Sequence, residues 1–312
     1  MTIIAFLFPG QGSQSVGMGA ELHREYDFVR EIFDMAEEIS RLPIARLCFK
    51  GPMESLTETV HLQPAVTAVN LACLAAAAHA GIRPARAAGH SLGEYSALRA
   101  AGVLDAPDAF RLVFRRGELM HREAGRHPGA MAAIVGLPID GVRSITESAA
   151  SAGPVSVANH NTETQIVVTG SPAGVKRAAA LSAESGARAV PLKVSGAWHS
   201  ELMTGAETDF AAFLETIPFS APEVPVIHNV TADIESDPSA IRRIMAAQLT
   251  HPVRWYESLC RLIDESVDVY VELGPGRVLS GMMRKIMPKG APGRVFSVSD
   301  LKGLDRLVEA VS

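Results

Sequence analysis

The stretch Ala88-Gly89-His90-Ser91-Leu92-Gly93-Glu94-Tyr95-Ser96-Ala97-Leu98 decides how the rest of the chain is read. Its first half, Gly89-His90-Ser91-Leu92-Gly93, has the form G-x-S-x-G, the pattern of a strand, a very tight turn and a helix with the serine at the apex. Glycines flank the serine because such a turn brings neighbouring backbone too close for side chains. Residues 92–101, rich in Leu and Ala, are predicted to be the helix. Ser91 then sits at a helix N-terminus, whose free N–H groups and dipole favour the negative charge that a tetrahedral oxyanion develops. The same five-residue pattern also occurs in turns without chemistry, so the rest of the chain has to supply partners.

Working outward toward the N-terminus, residues 85–89 form a short strand into the turn, and residues 64–80 an apolar helix with Pro64 at its first position. That run is too short and too weakly apolar for a membrane span and reads as a core helix. Residues 56–63 are a polar connection and 20–40 a helix. Residues 2–8, Thr-Ile-Ile-Ala-Phe-Leu-Phe, fit a central strand buried on both faces, and residues 1–8, short and without a basic n-region, read as that first strand and not as a signal peptide. The loop Pro9-Gly10-Gln11-Gly12-Ser13-Gln14 follows. It is not a dinucleotide fingerprint, because Ser15 stands where the third glycine belongs and no second strand ends in an acidic residue. Its small residues suit backbone N–H groups approaching a ligand oxygen.

Toward the C-terminus, residues 107–123 are a helix containing Arg111, Arg115, Arg116 and Arg122, with Gly117 weakening its middle where something approaches closely. From residue 129 the order becomes strand, helix, strand, strand, helix, strand (130–137, 139–151, 155–159, 165–169, 172–185, 187–194), with 160–163 as the turn between the middle strands. This is the split βαββαβ order of a ferredoxin-like unit. The chain then returns through Ser195-Gly196-Ala197-Trp198-His199-Ser200 to helices and strands at 224–229, 267–273 and 295–298. The fold class read from this order is α/β: a hydrolase-like parallel-sheet domain over 1–127 and 196–312, with an inserted ferredoxin-like subdomain over 128–195.

Composition limits the function classes. The chain has 312 residues, 47% hydrophobic and 20% charged, with net charge −5, which suits a globular enzyme and argues against a general nucleic-acid binder. Cys48, Cys73 and Cys260 are odd in number and widely spaced, so neither a disulfide framework nor a zinc motif is expected, and a cytoplasmic location is. A nucleophilic Ser91 needs a base. Among ten histidines, His199 stands out, in a small-residue loop after a strand, where a side chain can be aimed by a rigid scaffold. His90 adjoins the serine but points away from it in such a turn. No Asp or Glu near His199 is an evident third member.

Taken in order, Gly10-Gln11-Gly12-Ser13-Gln14, Gly89-His90-Ser91-Leu92-Gly93-Glu94-Tyr95, Arg116-Gly117, Gly196-Ala197-Trp198-His199-Ser200, Gln248-Leu249-x-x-Pro252-Val253-x-Trp255 and Glu272-Leu273-Gly274-Pro275-Gly276 closely resemble, in sequence and spacing, the motifs of malonyl-CoA:acyl-carrier-protein transacylases. The resemblance covers nearly the whole chain. It implies an acyltransferase that moves malonyl from malonyl-CoA to the phosphopantetheine thiol of a holo acyl carrier protein, by a ping-pong route through a malonyl-serine, for fatty-acid or polyketide synthesis. No bound cofactor, metal, nucleic acid or membrane is implied.

By that resemblance Ser91 is the nucleophile and His199 the base; the N–H groups of Gln11 and Leu92 form the oxyanion hole; the backbone carbonyl of Gln248 orients His199; and Arg116 holds the malonyl carboxylate. A guanidinium suits that task through two parallel hydrogen bonds, and relatives acting on neutral acyl chains tend to lack it. His90, Trp198 and Asn161 fall in the pocket. Trp198 replaces a residue that is commonly smaller, which would crowd the acyl α-carbon; plain core packing is the alternative reading. Arg188, Arg284 and Lys285 match basic positions that dock acidic carrier proteins, or are merely solvated. Alternatives within reach of the same residues are a trans-acting polyketide synthase acyltransferase, the transacylase subunit of a malonate decarboxylase, an acyl-thioester hydrolase, and a non-catalytic carrier-protein docking module.

Overall fold

A computed structural model describes residues 2–311; the ends of the expected large-domain span, Met1 and Ser312, lie outside the described residues. Among the described residues there are nine strands: β1 (Ile4–Phe8), β2 (Arg86–Gly89), β3 (Ala130–Val135), β4 (Val155–Thr162), β5 (Gln165–Gly170), β6 (Arg188–Pro191), β7 (Val226–Ile227), β8 (Val269–Leu273) and β9 (Arg294–Val298). They form two sheets, one of order β7-β2-β1-β8-β9 and one of order β4-β5-β3-β6. Every pairing in the first is parallel and every pairing in the second antiparallel. The fold class is therefore the expected one: a parallel-sheet α/β layer system carrying a small βαββαβ unit.

β1 is central because its sequence is apolar on both faces. Ile4, Phe6 and Phe8 join the larger core, while Ala5 and Leu7 join a second core with Trp255, Leu259 and Tyr270 on the opposite face. This is the two-residue alternation of a strand buried on both sides. Register Phe8↔Gly89 and Leu7↔Glu272 aligns the carboxyl ends of β1, β2 and β8. The loop after β1 and the tight turn after β2 thus emerge side by side, where open parallel sheets carry their sites.

The small sheet has its own core of Ile134, Val142, Ile166, Val168 and neighbours. It is tied to the large sheet's side through main chain: the His160 N–H donates to the Val253 carbonyl (2.9 Å) and the Val253 N–H to the Ala158 carbonyl (2.8 Å). That clamp carries Asn159 and Asn161 to the rim of the cleft between the sheets.

Several element boundaries differ from expectation. The helix over 20–40 is two helices, Ala20–Glu25 and Asp27–Ser40, because Tyr26 is extended (φ −118°) and stacks on Phe28, ring centroids 4.8 Å apart. Residues 56–63 are not a connection: helices Met53–Thr57 and Thr59–His79 cover most of them, and Pro64 lies inside the second. Its missing N–H leaves the Val60 carbonyl without a helical partner. Complete burial of Leu62, Ala65, Val66 and Val69 offsets that loss. This helix is long and apolar enough by composition to cross a membrane, yet most of it is buried inside the protein.

Asn70 in the same helix donates to the Pro9 carbonyl (3.0 Å) and to Ser96 Oγ (3.2 Å), fastening the loop after β1 to the helix after β2. Gly117 lies against that helix; a Cβ there would meet the Thr59 carbonyl oxygen at 3.0 Å. β4 runs on through His160, Asn161 and Thr162, so the hairpin turn is Glu163-Thr164 and Asn161 is a buried strand residue. The strand expected over 224–229 is reduced to Val226–Ile227, since the His228 N–H turns back to the Asp233 carbonyl (3.0 Å).

Candidate active site

The turn after β2 is shaped by sterics. A Cβ at Gly89 would lie 2.0 Å from the Gly93 carbonyl carbon, and one at Gly93 would lie 1.9 Å from the Phe8 carbonyl oxygen. Only glycine fits both places. Between them Ser91 is held at φ 52°, a left-handed conformation that costs a non-glycine residue about 1–3 kcal/mol. Two contacts of the buried Asn229 hold it: Asn229 Oδ1 accepts from the half-buried Ser91 N–H (2.6 Å), and Asn229 Nδ2 donates to the buried Gly89 carbonyl (2.7 Å). Ser91 Oγ is thereby pushed clear of the helix Gly93–Ala100, over its N-terminal end.

His199 arrives from a chain position 108 residues away, and its Nε2 lies 2.8 Å from Ser91 Oγ. Its own backbone is also left-handed (φ 59°). His199 Nδ1 is 2.7 Å from the Gln248 carbonyl oxygen. A carbonyl can only accept, so Nδ1 carries the proton and Nε2 offers its lone pair to the Ser91 hydroxyl. The imidazole is buried; burial first and the Arg116 charge second drive it down to about 3. It is therefore neutral, as a base must be before it acts.

Arg116 is 2% exposed, from the helix Ala106–Arg126. Nη1 donates to Gln63 Oε1 (3.1 Å), and Nη2 donates to Gln248 Oε1 (3.0 Å) and to Ser91 Oγ (3.2 Å). The guanidinium also lies 5.7 Å from the Tyr95 ring centroid. A buried cation without a carboxylate on it, aimed at the nucleophile, is an arrangement for an anionic group on the substrate.

Gln11 and Leu92 both line the cleft with Ser91, His199 and Arg116. Among the described residues neither backbone N–H donates to a protein acceptor. The loop approaches closely enough that a Cβ on Gly10 would lie 2.5 Å from the His90 carbonyl oxygen and 3.4 Å from the Leu92 nitrogen. The two free N–H groups can serve one oxyanion.

Trp198 lines the same cleft, almost fully buried. His90 Nε2 meets Asn161 Oδ1 at 2.8 Å, which joins the turn to β4 of the small sheet. The cleft continues outward past Asn161, Leu192 and the helix Val278–Ile286, through Val278, Leu279 and Met282. Arg284 and Lys285 are exposed on that helix, and Arg188 is exposed on β6, just before Leu192. Among the described residues no cluster of three His, Cys, Asp or Glu could hold a metal ion.

The model of the acyl transferase domain matches residues 5–298. This chain belongs to the acyltransferase family. The acyltransferase is 43% identical over 313 residues to the malonyl CoA-acyl carrier protein transacylase of Bacillus subtilis, covering 100% of this chain and 98% of that one. It superposes with TM-score 0.93 on an acyl carrier protein S-malonyltransferase of Vibrio cholerae, at 40% identity over 98% of this chain and 100% of that one. It superposes with TM-score 0.94 on a malonyl-transacylase solved in complex with its type II polyketide synthase acyl-carrier protein, at 38% identity over 99% and 100%.

Sequence reasoning missed several groups that hold this acyltransferase's site together: Glu94, Gln63, His228 and Asn229. In sequence Glu94 is one letter of the motif around Ser91, yet it is a completely buried carboxylate 2.8 Å from His228 Nδ1 and 2.5 Å from Gln248 Nε2. A signal existed for two of them. His228-Asn229 is a polar pair at the carboxyl end of a parallel strand, the place where α/β sheets put functional residues. For Gln63 and Glu94, inside helices, no local pattern distinguishes a site residue from a surface one.

Proposed function

We propose that this acyltransferase moves malonyl from malonyl-CoA to the phosphopantetheine thiol of a holo acyl carrier protein, through a malonyl ester on Ser91. The observation that carries the reading is Arg116: a buried guanidinium 3.2 Å from Ser91 Oγ, the same oxygen that lies 2.8 Å from His199 Nε2. In the first half-reaction His199 Nε2 takes the Ser91 proton as Oγ attacks the thioester carbonyl. The Gln11 and Leu92 N–H groups bind the oxyanion, and the Gln248 carbonyl steadies the imidazolium. Collapse expels CoA thiolate, which takes the proton back from His199. In the second half-reaction His199 deprotonates the phosphopantetheine thiol, the thiolate attacks the ester, and Ser91 regains its proton. Arg116 would exchange its contact with Ser91 Oγ for two hydrogen bonds to the malonyl carboxylate.

An acetyl group would leave that cation without an anion in a dry site, which supports strong discrimination against it. Trp198 would bound the space beside the acyl α-carbon, with His90 and Asn161 on the small-sheet side. Arg188, Arg284 and Lys285 flank the outer cleft and would steer an acidic carrier protein despite the net charge of −5. In domain terms, 128–195 would be the small subdomain and 1–127 with 196–312 the catalytic one. The reaction needs no cofactor, its product suits fatty-acid or polyketide chain extension, and a cytoplasmic setting fits the free thiols.

The test is intact-protein mass spectrometry after mixing with malonyl-CoA or acetyl-CoA. One malonyl adduct at Ser91, lost on adding holo carrier protein and absent in Ser91→Ala, is the expected result. Steady CoA release without a carrier protein would make it a hydrolase instead. An acetyl adduct as abundant as the malonyl one would overturn the role given to Arg116.

A further inference from the structure

Beneath Ser91 lies a buried hydrogen-bond chain, His228, Glu94, the Gln248 side chain, then Arg116, whose first two members the reaction steps do not use. Glu94 is the second residue of the helix Gly93–Ala100, completely buried. His228 Nδ1 (2.8 Å), Gln248 Nε2 (2.5 Å) and, more distantly, the Asn229 N–H (3.4 Å to either oxygen) face its carboxylate. Every group turned toward it is a donor.

Resting on the reading of Arg116 given above, we infer that Glu94 is a positioning residue: it fixes which way the Gln248 side-chain amide faces, and thereby holds the Arg116 guanidinium in place for the substrate carboxylate. The argument is one of donor and acceptor counting. A primary amide has one acceptor oxygen and one donor nitrogen. Gln248 Nε2 points at two acceptors, Glu94 Oε2 and the Ser91 carbonyl (3.1 Å), so Oε1 is left facing Arg116 Nη2 at 3.0 Å. Reversing the amide would set an oxygen against the carboxylate and an NH2 group against the guanidinium. Both contacts would repel. An acceptor-only residue at position 94 excludes that orientation; a residue that can donate does not.

The other arm of Arg116 is held the same way. Gln63 Oε1 faces Nη1, and its Nε2 donates to Met120 Sδ (3.3 Å), a thioether that can only accept and so sets the direction of the amide, and to Thr59 Oγ1 (3.0 Å). Two oriented amides thus hold the two ends of the fork. The Gln248 backbone carbonyl, which holds His199, does not depend on the side-chain amide. Glu94 therefore acts on recognition of the acyl group more than on the proton transfers.

The experiment compares kcat/KM for Ser91 loading from malonyl-CoA and from acetyl-CoA, with CoA release as the readout. Glu94→Gln keeps the shape and removes the acceptor-only character. The expected result is a malonyl-to-acetyl ratio lowered by about 10-fold or more, carried mainly by KM for malonyl-CoA, the loss of one charge-assisted contact's worth of discrimination. In an Arg116→Ala background the same change should leave the ratio where Arg116→Ala put it. Should Glu94→Gln not fold, Gln248→Met, which keeps the backbone carbonyl, must lower the ratio likewise. A ratio unchanged while both substrates slow together, or an equal drop in the Arg116→Ala background, overturns the inference and leaves the transacylase reading standing. A wild-type enzyme with no preference for malonyl overturns both.

Discussion

The pH dependence of Ser91 loading follows from how His199 is buried. Its pKa lies at about 3 against an ordinary 6.5, because enclosure disfavours the imidazolium and the Arg116 charge adds to that, while the Gln248 carbonyl offsets only part. At pH 6.5 an ordinary histidine is half protonated, whereas His199 in the free enzyme would be almost wholly neutral. The parameter kcat/KM, which reports the free enzyme, should therefore be flat through pH 5–8, with no acid limb near 6.5. Binding of malonyl changes the balance, since its carboxylate offsets the Arg116 charge that helped to lower His199. The acid limb of kcat should then lie above that of kcat/KM. Arg116→Met removes the same charge permanently and should raise the limb of kcat/KM for acetyl-CoA. The assay is rapid-quench mass spectrometry of acyl-Ser91 from pH 4 to 9. A wild-type kcat/KM that halves near pH 6.5 would refute the reasoning. Stability carries the same sign. Between pH 6.5 and 3 the unfolded chain binds a proton at His199 that the folded one does not. Stability present above 6.5 should thus fall as pH drops, by up to about 1.4 kcal/mol per unit from this group. His199→Gln should lose that part of the slope in urea titrations.

Asn229→Ala would leave the Ser91 N–H and the Gly89 carbonyl without their partner, at about 1–3 kcal/mol for each buried group; urea denaturation should show a loss of at least about 2 kcal/mol, and a loss within error would remove Asn229 as the brace of the turn. Trp198→Ser should raise loading of methylmalonyl relative to malonyl by about 10-fold or more, the usual worth of a methyl group in a tight pocket; an unchanged ratio would return Trp198 to plain packing. Burial pushes the Cys73 thiol up to about 12 and Cys48 higher still, while Cys260 is half-buried; a maleimide at neutral pH should label native protein at Cys260 alone, and rapid labelling of either buried thiol would contradict this packing.

Much of the fold is legible in the sequence wherever the requirement is local. β1 reads as a doubly buried strand because both of its alternating faces are apolar, and the βαββαβ order reads from periodicity switching between two and 3.6 residues. The misread places are those where tertiary burial overrode a local signal. Pro64 reads as a helix start, but Leu62 and the residues before it gain enough by burial to extend the helix through Thr59. His160 and Asn161 read as a polar turn, but β4 continues because it pairs with β5 and is clamped by Val253.

The same division separates the parts of the site. The turn around Ser91 is written in five residues, since the spacing of Gly89 and Gly93 meets steric limits set by the turn itself and by the adjoining β1, and the motif order carries the resemblance of Ser91, His199 and Arg116 to family positions. What the tertiary structure alone decided is who faces whom. His199 meets Ser91 across 108 residues, Asn229 reaches the turn across 138, and Gln248 lies between Glu94 and Arg116. The low pKa of His199 is likewise a property of enclosure beside a buried cation. No sequence window contains such quantities, because they arise only when the carboxyl ends of strands far apart in the chain are brought to one edge of one sheet.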